Sequence, residues 1–218
     1  FSIFSYRLAP IQISYLGFPG TSGSNFIDYL IADKFVIPED KKHYYTEKII
    51  FMDNCYQCND DSKIIANKKY TRKDFNLPDK GIIFTCFNAS FKITEEVFDI
   101  WMKLLQKVNN SVLWIFSNNK YVEDNLRKEA QKRGVNSKRI VFAYRLPIEE
   151  HLARHKLGDI FLDTFNYNAH TTASDALWAG LPVITYSGKS FSSRVAGSLL
   201  KTLGLNELIC SSKSEYYE

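Results

Sequence analysis

From residue 81 onward the chain switches between two rhythms of apolar and polar positions. Short runs rich in β-branched and aromatic residues occupy 81–87, 112–116, 140–142, 159–162 and 182–186, and each is followed by a stretch with helical spacing. The clearest helix is 94–108, where Val97, Ile100, Trp101, Leu104, Leu105 and Val108 fall on one stripe. Thr94 stands at its N-cap position, and Glu95 and Glu96 lie in the first turn, where the helix dipole favours them. The same spacing predicts helices at 122–133 (ended by Gly134), 148–156, 172–179 and 192–203. Five strand–helix units in tandem predict an α/β fold, a doubly wound parallel sheet with helices on both faces. Ligands of such sheets bind beyond the carboxyl ends of the strands. Loops 88–93, 143–147, 163–171 and 187–191 are therefore expected along one edge, though they lie far apart in sequence.

Residues 1–75 break this rhythm. A strand at 11–16 runs into the turn-rich loop 17–23, residues 28–31 suggest another strand, and the polar segment 59–76 reads as a linker. The chain is thus expected to divide into 1–75, the end of a preceding lobe plus linker, and 76–218, a Rossmann-like lobe. It lacks an initiator Met and begins on what reads as a strand in progress, so it is expected to be part of a longer protein.

Composition narrows the function classes. Of 218 residues 45% are hydrophobic and 24% charged, as in ordinary globular proteins. The net charge of +4, from 28 basic and 24 acidic residues well mixed, is too mild to argue for nucleic acid and suits a small anionic ligand. No basic segment followed by a long apolar run opens the chain, and no apolar stretch approaches the roughly 20 residues that span a bilayer. Cys55 and Cys58 form one CxxC without a second pair or matching histidines, so these thiols, with Cys86 and Cys210, read as reduced. A cytoplasmic setting without membrane contact is expected.

Candidate chemistry concentrates in the loop after Leu162, which feeds directly into a helix. A helix N-terminus offers unpaired N–H groups and partial positive charge to a phosphate. Thr171 and Thr172 add hydroxyl donors, His170 adds another, and Asp175 one turn on suits ribose hydroxyls. The stretch from Thr172 to Asp175 equally fits a capping box in acidic form, and the two roles are compatible. Lys92, in the loop after the first predicted strand, suits a diphosphate as a point charge. His151 and His155 are four apart, but Leu152 stands where the metalloprotease pattern needs Glu, so His151 reads as a base-flanking or surface residue. No GxGxxG follows a strand, no GxxxxGK[ST] occurs, and no Asp-x-Asp pair is present. These absences point away from nicotinamide cofactors, P-loop chemistry and a divalent ion. Neither cofactor nor metal is expected.

Together these pieces resemble the catalytic region of the O-linked N-acetylglucosamine transferase family, SPINDLY-type enzymes included. The resemblance rests on Ala9-Pro10-Ile11-Gln12, the loop from Gly17 through Phe18, Pro19, Gly20, Thr21 and Ser22 to Gly23, Phe87-Asn88 with Lys92, and Asn110-Ser111-Val112-Leu113-Trp114. It continues in Glu149-Glu150-His151, Leu162-Asp163-Thr164, His170-Thr171-Thr172 with Asp175, Leu177-Trp178-Ala179-Gly180 and Ser193-Arg194-Val195-Ala196. Nearly the whole chain is covered, in order.

The resemblance implies a two-lobed GT-B fold with the donor held mainly by the C-terminal lobe. It assigns Lys92 to the diphosphate leaving group as the catalytic contact, His170, Thr171 and Thr172 to the phosphates, His151 to stacking on uracil and Asp175 to the ribose. Gly17 and Pro19 would lie beside the sugar, as would Tyr167. The implied reaction is metal-independent inverting transfer of N-acetylglucosamine from UDP-GlcNAc to Ser or Thr hydroxyls of proteins, with tetratricopeptide repeats upstream. Ala89, Ile148 and Tyr167 depart from the family pattern near the phosphates, the base and the acetamido pocket. His170 points to the N-acetylglucosamine branch. Two alternatives stay open, a SPINDLY-type protein O-fucosyltransferase using GDP-fucose and a non-catalytic nucleotide-binding module of a repeat protein.

Overall fold

The computed structural model describes residues 2–218. Two parallel sheets organise it. The smaller joins β1 (Ile13–Ser14), β2 (Tyr29–Asp33) and β3 (Lys48–Met52) in that order. The larger is built from β4 (Ile83–Cys86), β5 (Val112–Phe116), β6 (Ile140–Ala143), β7 (Ile160–Leu162), β8 (Val183–Tyr186) and β9 (Ile209–Cys210). Its strand order is β6-β5-β4-β7-β8-β9, all parallel, so the order reverses between β4 and β7. Between the strands run α1 (Glu95–Lys107), α2 (Lys120–Lys132), α3 (Ile148–Arg154), α4 (Thr171–Trp178) and α5 (Val195–Thr202), and α6 (Lys213–Tyr217) follows β9. No helix among the described residues is long and apolar enough to cross a membrane.

The pleat explains why strand runs are apolar throughout. Phe84, Cys86, Leu113 and Ile115 face α1, packing against Val97, Trp101 and Leu105. Their neighbours Ile83, Val112 and Trp114 point the other way, onto Ala173 and Ala176 of α4 and Ala196 and Leu200 of α5. Strands covered on both faces carry no polar alternation. In α1 the Thr94 hydroxyl accepts from the Val97 amide, as the cap reading predicts. Six of its side chains are buried, each contributing about 1.5–3 kcal/mol, so packing outweighs intrinsic propensity in holding this helix.

Several sequence expectations change. Residues 2–6 form a 3-10 turn, not a strand in progress. The sheet has six strands, not five, because β9 is only two residues long and leaves no periodic signal. The first sheet also contains β3, an unpredicted strand beside β2. The polar segment 59–76 is no free linker but a strap tied to the larger lobe. The Ala66 amide donates to Glu149 O (3.0 Å), Lys68 Nζ to Glu150 (2.9 Å), and the Tyr70 hydroxyl to the same Glu150 carboxylate. Phe75 packs on Trp114 with ring centroids 5.2 Å apart. The two sheets meet where Asp33 accepts from the Tyr56 amide (2.9 Å) and the Ser198 hydroxyl (2.6 Å), and where Arg194 donates to Phe35 O (2.6 Å).

Gly81 leads into β4 at φ +109°, and a Cβ there would sit 1.6 Å from the Asn110 carbonyl oxygen. Gly180, at φ +83°, faces open space. Both substitutions to Ala incur backbone strain of about 1–3 kcal/mol, but only Gly81→Ala also forces backbone apart. Urea denaturation is expected to show a clearly larger loss of stability for Gly81→Ala than for Gly180→Ala.

Candidate functional site

Where the strand order reverses, the loops after β4 and β7 leave in opposite directions and open a crevice between them. A cleft of about 590 Å³ lies there, walled by both loops and by residues of the smaller lobe. Its organising group is Asp163, directly after β7 and fully buried. One carboxylate oxygen accepts from the Ala169 amide (2.6 Å), the Thr164 amide (2.7 Å) and Asn88 Nδ2 (3.3 Å), and the other from the Thr185 hydroxyl (2.7 Å). Burial pushes this carboxyl up to about 7, although Thr185, the two amides and nearby Lys92 each pull it down.

Asn88 carries the network outward. Its Nδ2 also donates to Thr164 Oγ1 (3.0 Å), while its Oδ1 accepts from the Thr172 hydroxyl (2.6 Å). Thr172 is therefore no part of a capping box. Helix α4 starts at Thr171, its N-cap is His170, and no side chain caps it. The helix rule leaves its first amides without intrahelical partners, so its tip presents N–H groups and partial positive charge to the cleft.

Lys92 reaches the same place through the 3-10 turn Ser90–Lys92. Its ammonium donates to Asn168 O (2.8 Å) and lies 4.3 Å from the centre of the Tyr167 ring. Burial pulls its pKa down, while Asp163 and Cys86 oppose that shift. Tyr167 in turn stacks on His170, centroids 4.8 Å apart. The His170 donor anticipated from sequence is already engaged: Ser192 O can only accept, so Nε2–H donates to it (3.2 Å) and Nδ1 is left as an acceptor. Burial holds this imidazole down at about 4, so it is uncharged near neutrality.

Lys92, Tyr167, His170, Thr171 and Thr172 all line the cleft, joined by Gly17 and Pro19 from the smaller lobe. The loop bearing Gly17 and Pro19 is anchored by the nearly buried Glu47, which accepts from Thr21 Oγ1 (2.6 Å) and the Ser22 amide (2.6 Å). Two expected residues stand apart. His151, on α3, accepts from Arg154 Nη2 at Nδ1 (2.6 Å) and packs its ring 5.4 Å from Phe87. Burial, with His155 and Arg154 alongside, pushes it down to about 3. Asp175 is buried, and its Oδ1 is held by Lys63 Nζ (2.7 Å), so Lys63 and not Asp175 faces the cleft.

Asp163, Asn88 and Lys63 were given no individual role from sequence. Asn88 and Asp163 stood inside quoted motifs, and a polar residue just past an apolar strand was their only signal. Lys63 carried none, because its partner is 112 residues away.

The sequence pattern of glycosyl transferase family 41 matches residues 1–70 and 63–218. The chain is 40% identical, over 99% of its length and 23% of the relative's, to a probable UDP-N-acetylglucosamine–peptide N-acetylglucosaminyltransferase (SEC) of Arabidopsis thaliana. It is 30% identical to the SPINDLY relative of that plant, over 97% of this chain and 23% of the other. Among solved structures, a lysine-to-methionine mutant of the O-GlcNAc transferase of Thermobaculum terrenum superposes with a TM-score of 0.87 at 30% identity, covering 98% of this chain and 40% of that one. The chain thus spans about a quarter of these curated relatives. It belongs to glycosyl transferase family 41, and its fold is the α/β, Rossmann-like GT-B type.

The buried imidazoles carry a pH prediction. In the unfolded chain His151 and His170 titrate near 6.5, but folded they stay neutral down to about 3 and 4. The stability they contribute is complete above pH 6.5 and drains as pH falls through 6.5 toward 4 for His170 and toward 3 for His151. NMR titration of both rings is expected to show no inflection between pH 5 and 8. An inflection near 6.5 for either ring would contradict the burial of that imidazole.

Proposed function

We propose that this chain carries the donor-binding part of a protein O-GlcNAc transferase, which moves N-acetylglucosamine from UDP-GlcNAc to Ser or Thr hydroxyls with inversion and without a metal. The observation that carries this reading is the convergence of the Lys92 ammonium, the Thr171 and Thr172 hydroxyls and the uncapped tip of α4 in one cleft at the strand-order reversal. In such a transfer the acceptor hydroxyl oxygen bonds to the anomeric carbon and gives up its proton to a base or water, as the bond from that carbon to the diphosphate oxygen breaks. The charge left on the diphosphate is what the site must stabilise. A fixed ammonium and oriented amides in a half-buried cleft do so without reorganising during reaction. Lys92 is suited to the task because Tyr167 and the Asn168 carbonyl already hold it in place.

The names of the similar proteins support this donor and a peptide acceptor. Acceptor binding would fall to parts of the protein outside this chain, tetratricopeptide repeats among them, in the cytoplasm. One observation favours a second donor. The Tyr167 ring lies against Lys92 and His170, where the family resemblance puts the acetamido group. A bulky ring there favours a sugar lacking that group, as in GDP-fucose.

Transfer to a Ser/Thr peptide by the full-length protein, from labelled UDP-GlcNAc and GDP-fucose in parallel, distinguishes the readings. Transfer from UDP-GlcNAc is expected, and Lys92→Met is expected to lower it by about 100-fold or more, with thermal unfolding as the check that the variant folds. Transfer from GDP-fucose alone would replace the donor. Unchanged transfer by Lys92→Met would remove Lys92 from the leaving-group site.

A further inference from the structure

Lys63 lies on the strap, outside both loops that form the phosphate end of the cleft. Its backbone carbonyl accepts from Trp178 Nε1 of α4 (3.1 Å), and just before it Gln57 Nε2 donates to Ser174 Oγ (3.0 Å). The strap is thereby fixed along α4, and the Lys63 ammonium meets Asp175 at 2.7 Å. The Asp175 side chain is 8% exposed and that of Lys63 22% exposed. A nearly buried carboxylate needs such a partner. The pair is not closed, however. An ammonium has three N–H groups and the Lys63 ammonium has Asp175 as its one hydrogen-bond partner among the described residues, while a carboxylate accepts at both oxygens. Two donors therefore remain on the member of the pair that forms cleft wall, beside Asn88, Thr171 and Thr172.

Position selects the ligand group. Asp175 is four residues, about one helical turn, past Thr171 at the helix tip. A nucleotide whose diphosphate sits at the tip and whose nucleoside runs along α4 brings its next oxygen-rich group, the ribose, against this turn. We propose that Lys63 is a donor-binding residue, its ammonium fixed by Asp175 and donating to the ribose hydroxyls of the bound nucleoside diphosphate. The assignment rests on the donor-binding function proposed for this cleft and deepens it. Asp175 acts through Lys63 as its positioning residue, and the strap becomes part of the site instead of a tether.

The test compares UDP with 2′,3′-dideoxyuridine 5′-diphosphate by titration calorimetry on the full-length protein, as wild type, Lys63→Met and Lys63→Arg. Wild type is expected to prefer UDP. Lys63→Met is expected to weaken UDP by about tenfold and to leave the dideoxy analogue within about twofold, with Lys63→Arg restoring most of the loss. Equal weakening of both ligands by Lys63→Met would overturn the proposal, because Lys63 would then only support the fold or the phosphates. Tighter UDP binding by Lys63→Met would also overturn it, since Lys63 would then block the site. If wild type binds UDP without preferring it over the analogue, the ribose lies elsewhere and only this assignment falls. If wild type binds neither nucleotide, the donor reading falls with it.

Discussion

A fully buried carboxyl group at the point where the strand order reverses constrains everything around it. A carboxylate placed there without partners would cost several kcal/mol, so Asp163 is satisfied by two loop amides, Asn88 and Thr185. Two of those bonds also position something useful: the Ala169 amide fixes the approach to α4, and Asn88 orients the Thr172 hydroxyl. Lys92 lies close enough to lower the carboxyl's pKa. The cleft face proposed to bind the diphosphate is thus assembled from behind by a group that does not line it.

In front of that node the electrostatics are sparse and directed. His151, His155 and His170 are all held neutral by burial, so fixed positive charge comes from Lys92, from Lys63 beside Asp175, and from the tip of α4. Arg154, buried under Phe87 and Trp114, holds His151 by its ring nitrogen and is itself depressed to about 10 by desolvation. The smaller lobe supplies walls more than charge, with Gly17, Pro19 and Tyr56 lining the cleft.

Legibility in the sequence followed the range of the interaction. Strands β4 to β8 and helices α1 to α5 are governed by local periodicity, and each was predicted to within a few residues. The two-residue strands β1 and β9 depend on neighbours distant in sequence: β1 lies inside the longer run 11–16 that the pattern predicts, and β9 leaves no periodic signal. The helix tip with Thr171 and Thr172 could be read because a strand, a loop and a helix start follow one another directly. That Thr172 answers Asn88 and not a cap could not be read, because the two are 84 residues apart. The polar strap was misread for the same reason. Lys and Asp in a Gly- and Pro-free segment look solvated until Glu149, Glu150, Asp175 and Trp178 are brought beside them.

The claim that the buried carboxyl group builds the phosphate grip is tested most directly by Asp163→Asn, which keeps the shape of the side chain but replaces acceptor capacity facing two amide donors. Titration of UDP and of uridine into the full-length wild type and variant, with thermal unfolding as the check on folding, isolates what the phosphates contribute. Wild type is expected to prefer UDP over uridine by about 100-fold or more, as several charge-assisted bonds to phosphate require. A folded Asp163→Asn is expected to lose most of that preference while still binding uridine. A folded variant that keeps the full preference would contradict the role assigned to Asp163.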